Sequence, residues 1–263
     1  CAGSQGETWR QARQGGGGRG YGQAGCEATP QAAGKENRQG RRGVTARPAL
    51  RARRAAGAAG EVLPPRFYDR PTEDVARDLL GCILECQSAD GVVSGRIVET
   101  EAYVGEHDLA CHAAAGLTQR TEPLYGAPGI SYVYFIYGMH WCFNAVTRAK
   151  GLPSAVLVRA IEPVDGLSLM RARRPAARRD VDLTNGPGKL CAALGITGAH
   201  NAHPLQRPPL TIRLGTRVPR RSVVVTPRIG TRECADWPLR WFIAENAYVS
   251  RTPAAFPRSE AAR

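Results

Sequence analysis

Residues 131–147 read SYVYFIYGMHWCFNAVT, and this stretch decides the fold class. Its first half alternates aromatic with aliphatic side chains, and a period of two is typical of a β-strand. Gly138 interrupts the alternation, which then resumes toward the end of the stretch. The pattern predicts a β-hairpin that places Tyr132 and Tyr134 on one face and lets Tyr137 project from the turn. A hairpin packed into the core and one that presents its tyrosines to a ligand fit this pattern equally well.

Similar patterns on both sides of the hairpin predict further strands, bounded by turn residues. The predicted strands are Cys82–Cys86, Gly95–Val104, Ala155–Ile161, Leu210–Leu214, Val223–Ile229 and Leu239–Ala244. Helical spacing of apolar residues predicts fewer helices, over 72–80 with Thr72 as the cap, over Val164–Arg174, and from Gly188 to Leu194. We therefore predict a single mixed α/β domain, built on a curved and largely antiparallel sheet with surrounding helices.

The composition divides the chain near residue 62. Residues 1–60 hold 11 Lys and Arg, 3 Asp and Glu and 14 of the 30 glycines, but one valine and one leucine. Such a segment cannot bury enough apolar surface to offset the entropy of ordering. The sequence predicts a disordered Arg/Gly-rich tail over 1–62, a folded domain over 63–255 and a flexible end over 256–263.

The charge balance and the cysteines limit the class of protein. The formal net charge of +13 predicts an acidic partner, of which nucleic acid is the commonest. No apolar run reaches the roughly 18 residues that a membrane span requires, and no secretory leader pattern is present, so neither class is expected. The eight cysteines form no C-x-x-C pair, and His200 and His203 lie in a loop without a nearby third ligand. We expect free thiols in a reducing compartment and no zinc site.

Several polar side chains in the predicted strands are candidates for chemistry. Glu99, Glu101 and Tyr103 occupy alternate positions, so they share one strand face. Carboxylates beside an aromatic ring are suited to acid–base work, although an exposed polar face is the alternative interpretation. Arg159 lies within an apolar strand and must find an anion, which either a ligand or a structural ion pair would supply. His112 is a further candidate, although a lone histidine is more often structural.

The segment Asn185-Gly186-Pro187-Gly188-Lys189 opens a predicted helix. A glycine-rich turn at a helix start presents free backbone N–H groups to an anion. The alternative is an ordinary helix start with Asn185 as its N-cap, and the segment lacks the pattern of a P-loop.

Five motifs, taken in their order along the chain, resemble the alkyladenine (3-methyladenine) DNA glycosylase family. They are RIVETEAYVG (96–105), DLACH (108–112), YVYFIYGMHWCFN (132–144), VLVRAIEP (156–163) and NGPGKL (185–190). Each motif is short, but five in order are specific, and the resemblance covers residues 67–250. His140 and Trp141 are more similar to the bacterial branch of the family than to the mammalian one.

The resemblance implies a catalytic centre and a pocket for a base that is flipped out of the DNA. Glu101 matches the general base, and Arg159 matches a position near the attacking water and a phosphate. Tyr103, His112 and Tyr134 match the positions that stack on the flipped base and form hydrogen bonds to it.

The resemblance also implies contacts that select the base and hold the duplex. Asn144 matches the position that disfavours guanine through its exocyclic amine. Tyr137 matches the wedge that fills the gap left by the flipped nucleotide. Gly186, Gly188 and Lys189 are expected to hold a backbone phosphate.

The implied protein is a monomeric, monofunctional DNA glycosylase that needs no metal or cofactor and leaves an abasic site. Its partner would be double-stranded DNA with a damaged purine. None of the lysines (Lys35, Lys150 and Lys189) lies in a pocket motif, so the amine nucleophile of a lyase is not expected. The lesion stays open among 3-methyladenine, 7-methylguanine, hypoxanthine and ethenoadenine. The expected compartment is the bacterial cytoplasm, at the nucleoid, or the nucleus of a eukaryote.

Two other classes of protein remain open at this point. A catalytically inactive protein that binds damaged DNA would share the same motifs, and the Arg/Gly-rich tail alone suggests an RNA-binding protein. Because all of these contact phosphate, salt-dependent binding does not separate them, whereas turnover does.

Overall fold

A computed structural model describes residues 60–250 of the chain. The predictions for residues 1–59 and 251–263 therefore lie outside the described residues. The first residues of this range already pair with the sheet. Gly60 N–H donates to Leu214 O at 2.7 Å, and Leu63 N–H donates to Ile212 O at 2.8 Å.

Strands outnumber helices within the described range. The strands are β1 (Ile83–Ser88), β2 (Gly91–Tyr103), β3 (Ser131–Ile136), β4 (His140–Val146), β5 (Ala155–Asp165), β6 (Gln206–Arg207), β7 (Leu210–Arg213), β8 (Val223–Thr226) and β9 (Arg240–Ile243). The helices are α1 (Pro65–Tyr68), α2 (Thr72–Leu79), α3 (Leu167–Arg173), α4 (Val181–Thr184) and α5 (Pro187–Leu194). Short 3-10 turns cover His112–Ala115, Glu122–Tyr125, Gly198–His200 and Arg220–Ser222.

Strand β2 organises the sheet, because it is long enough to pair with three other strands. The strand order is β3-β4-β5-β2-β1-β7-β6, and every pairing is antiparallel. Strand β1 pairs with the first half of β2, and β9 pairs with the second half, while β8 pairs with β9. This architecture confirms the predicted fold class, a single domain with a curved antiparallel sheet and a few helices.

The two faces of β2 contact different parts of the protein. Helix α2 buries Val75, Ala76 and Leu79, and the Thr100 hydroxyl donates to Ala76 O at 2.9 Å, so this face of β2 packs on α2. Glu101 alternates with Thr100 along the strand and faces away from the helix, as the period of two predicts. The exposed polar face, which was the alternative for these carboxylates, is wrong because Glu99 and Glu101 are completely buried.

Several predicted boundaries differ from the structure by one or more residues, and three of these differences have local reasons. The helix predicted over Val164–Arg174 begins at Leu167, because β5 continues to Asp165 and Gly166 then turns the chain at a φ of 75°. Thr72 lies inside α2 instead of capping it, and its hydroxyl shares a 2.9 Å hydrogen bond with that of Thr147. Strand β8 ends before Pro227, which has no N–H for further pairing.

We expect Ile97→Ala to destabilise the fold. Ile97 is completely buried on β2 between β1 and β5, so the lost side chain leaves a cavity that costs about 2–5 kcal/mol in free energy of unfolding. Chemical denaturation measures this loss. Val225→Ala on β8 is the control, because Val225 is 44% exposed and its loss should cost under about 0.5 kcal/mol. Equal destabilisation by both variants would contradict the central position of β2.

Candidate active site

A cleft of about 550 Å³ opens between the β3–β4 hairpin, the segment after β2, the start of α5 and the loop after β8. A second cleft of about 420 Å³, beside Asp69 and Arg148, contains none of the predicted site residues. The structure brings all of the predicted site residues except Glu101 to the wall of the larger cleft: Tyr103, His112, Tyr134, Tyr137, Asn144, Arg159, Gly186, Gly188 and Lys189.

Glu101 lies directly beneath this wall, where three donors hold its carboxylate. Among the described residues, Oε2 accepts from the Tyr103 hydroxyl at 3.0 Å and from Arg159 Nη1 at 3.1 Å, whereas Oε1 accepts one hydrogen bond, from Ile229 N–H at 2.7 Å. The side chain has no exposed surface. Oε1 is therefore the oxygen with remaining capacity to accept a proton.

The two side chains that hold Oε2 keep their protons at neutral pH. Burial raises the pKa of Tyr103 well above its ordinary value, and the charge of Glu101 adds to the effect. Burial alone would lower the pKa of Arg159, but the charges of Glu101 and Glu99 outweigh it and raise the pKa. Tyr103 and Arg159 are thus fixed donors to the carboxylate of Glu101.

An aromatic cluster forms the opposite wall of the cleft. The ring of His112 meets that of Tyr134 edge-on with centroids 4.5 Å apart, and the rings of Tyr132 and Tyr134 lie 5.4 Å apart. His112 Nδ1 shares a 2.8 Å hydrogen bond with the Tyr132 hydroxyl. Burial, assisted by the charge of Arg120, lowers the pKa of His112 to about 4. The ring is therefore neutral at pH 7, and Nε2 is left for a ligand.

Asn144 projects from β4 opposite Tyr132 and is almost completely buried. Its Nδ2 donates to Tyr132 O at 3.0 Å, which orients the amide within the cleft. The position of the side chain is therefore set by the hairpin itself.

Tyr137 occupies the tip of the hairpin and is 80% exposed, with a left-handed backbone at a φ of 54°. Met139 beside it is also largely exposed, so the tip presents apolar surface to solvent. The base of the tip is held in place, because the His140 ring packs against Gly188 so closely that a Cβ there would lie 2.9 Å from it. The hairpin that carries Tyr137 is therefore in direct contact with the start of α5.

Helix α5 begins at the cleft with Gly186 as the N-cap residue. The alternative in which Asn185 caps this helix is wrong, because no side chain caps it and Asn185 Oδ1 instead accepts from Lys189 Nζ at 2.7 Å. The first turn contains no acidic residue. The N–H groups of Gly188 and Lys189 belong to the first turn, where no intrahelical acceptor exists, and they remain available to an anion.

Two contributions to the site were missed by the sequence interpretation. The backbone N–H of Ile229 holds Glu101, and a main-chain donor has no signature in residue type. Arg228 and Asp108 are completely buried and form a two-pronged ion pair with distances of 2.5 and 2.8 Å across 120 residues of chain. Arg228 also lies 4.7 Å over the Tyr103 ring, so this pair joins the segment that carries His112 to the loop that holds Glu101.

The sequence of the chain has relatives among known proteins. The family model of Methylpurine-DNA glycosylase (MPG) matches residues 66–247. The chain belongs to the methylpurine-DNA glycosylase family. A relative from Myxococcus xanthus is 52% identical over 194 residues, which are 73% of this chain and 94% of the relative. One from Methanocella arvoryzae is 49% identical over 180 residues, 68% of this chain and 89% of the relative. Both carry the name "Putative 3-methyladenine DNA glycosylase".

Membership of the methylpurine-DNA glycosylase family confirms the resemblance drawn from the five motifs. Within residues 60–250, no helix is long and apolar enough to cross a membrane. The same part of the chain holds no group of three His, Cys, Asp or Glu side chains arranged for a metal ion. Its six cysteines are free thiols, and five of them are buried.

We expect His112 to titrate near pH 4 in the free protein, below the 6.5 of an ordinary histidine, because burial disfavours the charged ring. NMR of the ring protons measures the midpoint. Because the folded pKa is lowered, the contribution of neutral His112 to stability is present above pH 6.5 and is lost as the pH falls toward 4. Arg120→Ala should raise the midpoint, since Arg120 is the second cause of the shift. A midpoint near 6.5 in the native protein would contradict this environment.

Proposed function

We propose that the protein is a monofunctional DNA glycosylase that excises 3-methyladenine-type lesions, hypoxanthine and ethenoadenine from duplex DNA. It hydrolyses the N-glycosidic bond and leaves an abasic site. The observation that carries the proposal is the carboxylate of Glu101, held by Tyr103, Arg159 and Ile229 directly behind a cleft with an aromatic wall.

The reaction requires the damaged nucleotide to leave the duplex, because its glycosidic bond is otherwise enclosed by neighbouring base pairs. Extrusion costs roughly a few kcal/mol in lost stacking and pairing. Tyr137 is suited to offset this loss, since an exposed aromatic ring at a hairpin tip can insert between base pairs. The hairpin that carries Tyr137 also carries Tyr134 and Asn144 in the cleft.

The extruded purine fits between the aromatic side chains of the cleft. Tyr134 and His112 offer ring faces for stacking, and stacking of a base on an aromatic side chain contributes about 1–3 kcal/mol. Neutral His112 has Nε2 available for a hydrogen bond to the base. The amide of Asn144 is oriented by Tyr132 O, and the family resemblance supports a role for this side chain in disfavouring the exocyclic amine of guanine.

The chemistry follows from the position of Glu101. Water attacks the anomeric carbon, the bond from this carbon to the purine nitrogen breaks, and its electron pair leaves with the base. Glu101 Oε1 takes the proton of the water, and the charge of the carboxylate stabilises the oxocarbenium-like transition state. Because Glu101 is fully buried in the free protein, the segment at Ile229 must shift enough to admit the water.

Positive charge and free backbone donors around the cleft suit the phosphates of the strand. Gly186, Gly188 and Lys189 form the start of α5, and a helix start favours an anion through its N–H groups and dipole. Arg159 lines the cleft beside Glu101, and the family resemblance supports its place near the attacking water and a phosphate. Binding by these contacts should weaken as salt is raised.

The product is an abasic site without strand cleavage, because a lyase needs an amine that attacks the sugar. Lys189 lines the cleft, but its amine is held by Asn185 Oδ1 at 2.7 Å. Lys150 lies in the exposed turn before β5, and Lys35 lies outside the described residues. We further propose that the protein acts as a monomer in the compartment that holds the cellular DNA.

We expect Glu101→Gln to abolish most excision, with a loss of at least ~10²-fold in the single-turnover rate, because glutamine cannot take the proton of the water. The assay measures base release from a duplex with one hypoxanthine, in EDTA, with parallel duplexes that carry ethenoadenine or methylated purines. The strand should break at the product site after alkali and stay intact without it. Equal release by both proteins would remove Glu101 from the mechanism. No release by the native protein from any lesion would favour a binding-only protein.

We expect Tyr137→Ala to slow excision from duplex DNA by about 10-fold or more, since the gap left by the flipped nucleotide is no longer filled. The same lesion in single-stranded DNA is the internal control, because no duplex has to be opened there. The measurement compares single-turnover rates on the two substrates for the native protein and the variant. Equal losses on both substrates would contradict a wedge role and indicate damage to the pocket.

A further inference from the structure

Glu99 precedes Glu101 by two residues on β2, and it is a fully buried carboxylate that the proposed reaction does not use. Its Oε1 accepts from Arg159 Nε at 3.0 Å, from Arg240 Nε at 2.7 Å and from the Ser250 hydroxyl at 2.7 Å. Its Oε2 accepts from Ser250 N–H at 2.7 Å. Glu99 therefore joins the central strand to β5, to β9 and to the chain after β9.

Arg159 is shared between the two carboxylates. Its Nε donates to Glu99, and its Nη1 donates to Oε2 of Glu101 at 3.1 Å. A guanidinium is planar and rigid, so a bond at Nε fixes the direction in which Nη1 points. Glu99 therefore sets the position of Arg159 relative to Glu101.

Arg240 is the second arginine that binds Glu99. It is completely buried, donates from Nη1 to the Thr226 hydroxyl at 3.0 Å and lies 4.5 Å over the ring of Phe242. Two carboxylates and two guanidinium groups balance each other in charge. Burying ions in this way is costly, and apolar residues of similar volume often stabilise a fold as well or better. The cluster therefore needs an explanation beyond stability.

The explanation lies in what Arg159 would do without Glu99. An arginine next to one carboxylate favours a two-pronged pair that engages both oxygens. Such a pair with Glu101 would cover Oε1, the oxygen that has capacity left for the proton of water. Because Glu99 occupies Nε, Arg159 is restricted to Oε2.

We propose that Glu99 is a positioning residue, which holds Arg159 on Oε2 of Glu101 and keeps it off Oε1, so that the remaining acceptor site of Oε1 stays open to the attacking water. The role rests on the proposed function of Glu101 as the general base. Arg240 and Ser250 support Glu99 in this role, and none of these three side chains lines the cleft.

Removal of Glu99 would also change the balance of charge around Glu101. The groups that face Glu101 are Arg159, Tyr103 and Ile229 N–H in direct contact, with Arg228, Tyr134 and Cys142 at longer range. Glu99 is the second carboxylate on Arg159. Its removal leaves Glu101 to face the full charge of Arg159, so that binding of a proton by Glu101 becomes less favourable.

The test is the pH dependence of single-turnover excision by Glu99→Gln. Glutamine has the same shape as glutamate, but one acceptor oxygen becomes an NH2 group. This donor group would then face either the Ser250 N–H or the arginine donors, with which it cannot form a hydrogen bond. We expect the maximal rate to fall about 10- to 100-fold, with affinity for the damaged duplex within about twofold of the native value. We also expect the acid limb of the profile to move to lower pH by about half a unit.

Glu85→Gln is the matched control. Glu85 forms an ion pair with Arg213, at 3.0 Å, between β1 and β7, away from the cleft, so the same substitution there should change neither the rate nor the acid limb. A purely structural role of Glu99 would lower the melting temperature without moving the acid limb. A native rate, or an unshifted acid limb, in Glu99→Gln would overturn the proposal.

Ser250→Ala keeps the proposal testable if Glu99→Gln does not fold. This variant removes one donor to Glu99 and leaves every charge in place, so we expect a fall of about threefold in rate with an unchanged acid limb. An unchanged rate in Ser250→Ala would then overturn the positioning role. If the native protein itself excises no lesion, that result would instead overturn the proposed function of Glu101 as the general base.

Discussion

The charge of Arg159 inside the sheet is the constraint on which the site depends. A buried guanidinium must be matched by carboxylates, and β2 supplies them from alternate positions, Glu99 and Glu101. The pairing holds only if β2 and β5 keep one register, so the sheet and the chemistry are specified together. The packing of Thr100 on Ala76 of α2 fixes that register, because a slip of one residue would exchange the face toward the helix for the face toward the site.

The position of Glu101 in the sheet also explains why its carboxylate is enclosed. Glu101 sits on a central strand that is covered by helix α2 on one face, and by Tyr103, Arg159 and Ile229 on the other. A carboxylate in such a place is shielded from bulk water, which strengthens its interaction with charge that develops on a bound sugar. Tyr103, Arg159 and Ile229 all donate hydrogen bonds to the carboxylate, and these bonds replace the ones that water would otherwise supply.

Much of this could be predicted from local sequence, because strands and hairpins have short periods. The alternation at Tyr132 and Tyr134, and that at Glu101 and Tyr103, placed each pair on its correct face. What could not be predicted was the set of partners that are distant in sequence, such as Arg240, which lies 141 residues after Glu99, and Arg228, which lies 120 residues after Asp108. The apolar Val164 misled the helix assignment, because it continues a strand that Gly166 then ends. The complete burial of the carboxylates is likewise a tertiary effect, which the strand pattern alone does not encode.

The hairpin described above has a mechanical consequence. Tyr137 at the tip and Tyr134 in the cleft belong to one continuous ribbon and are three residues apart, so at most roughly 10 Å of chain separates them. Under the proposed function, the hairpin sets the distance between the gap in the duplex and the pocket for the base. Since His140 packs against Gly188, the proposed phosphate contacts at the start of α5 are held in the same frame. The sugar–phosphate link of a flipped nucleotide would then have to bridge this one distance, whichever lesion the nucleotide carries.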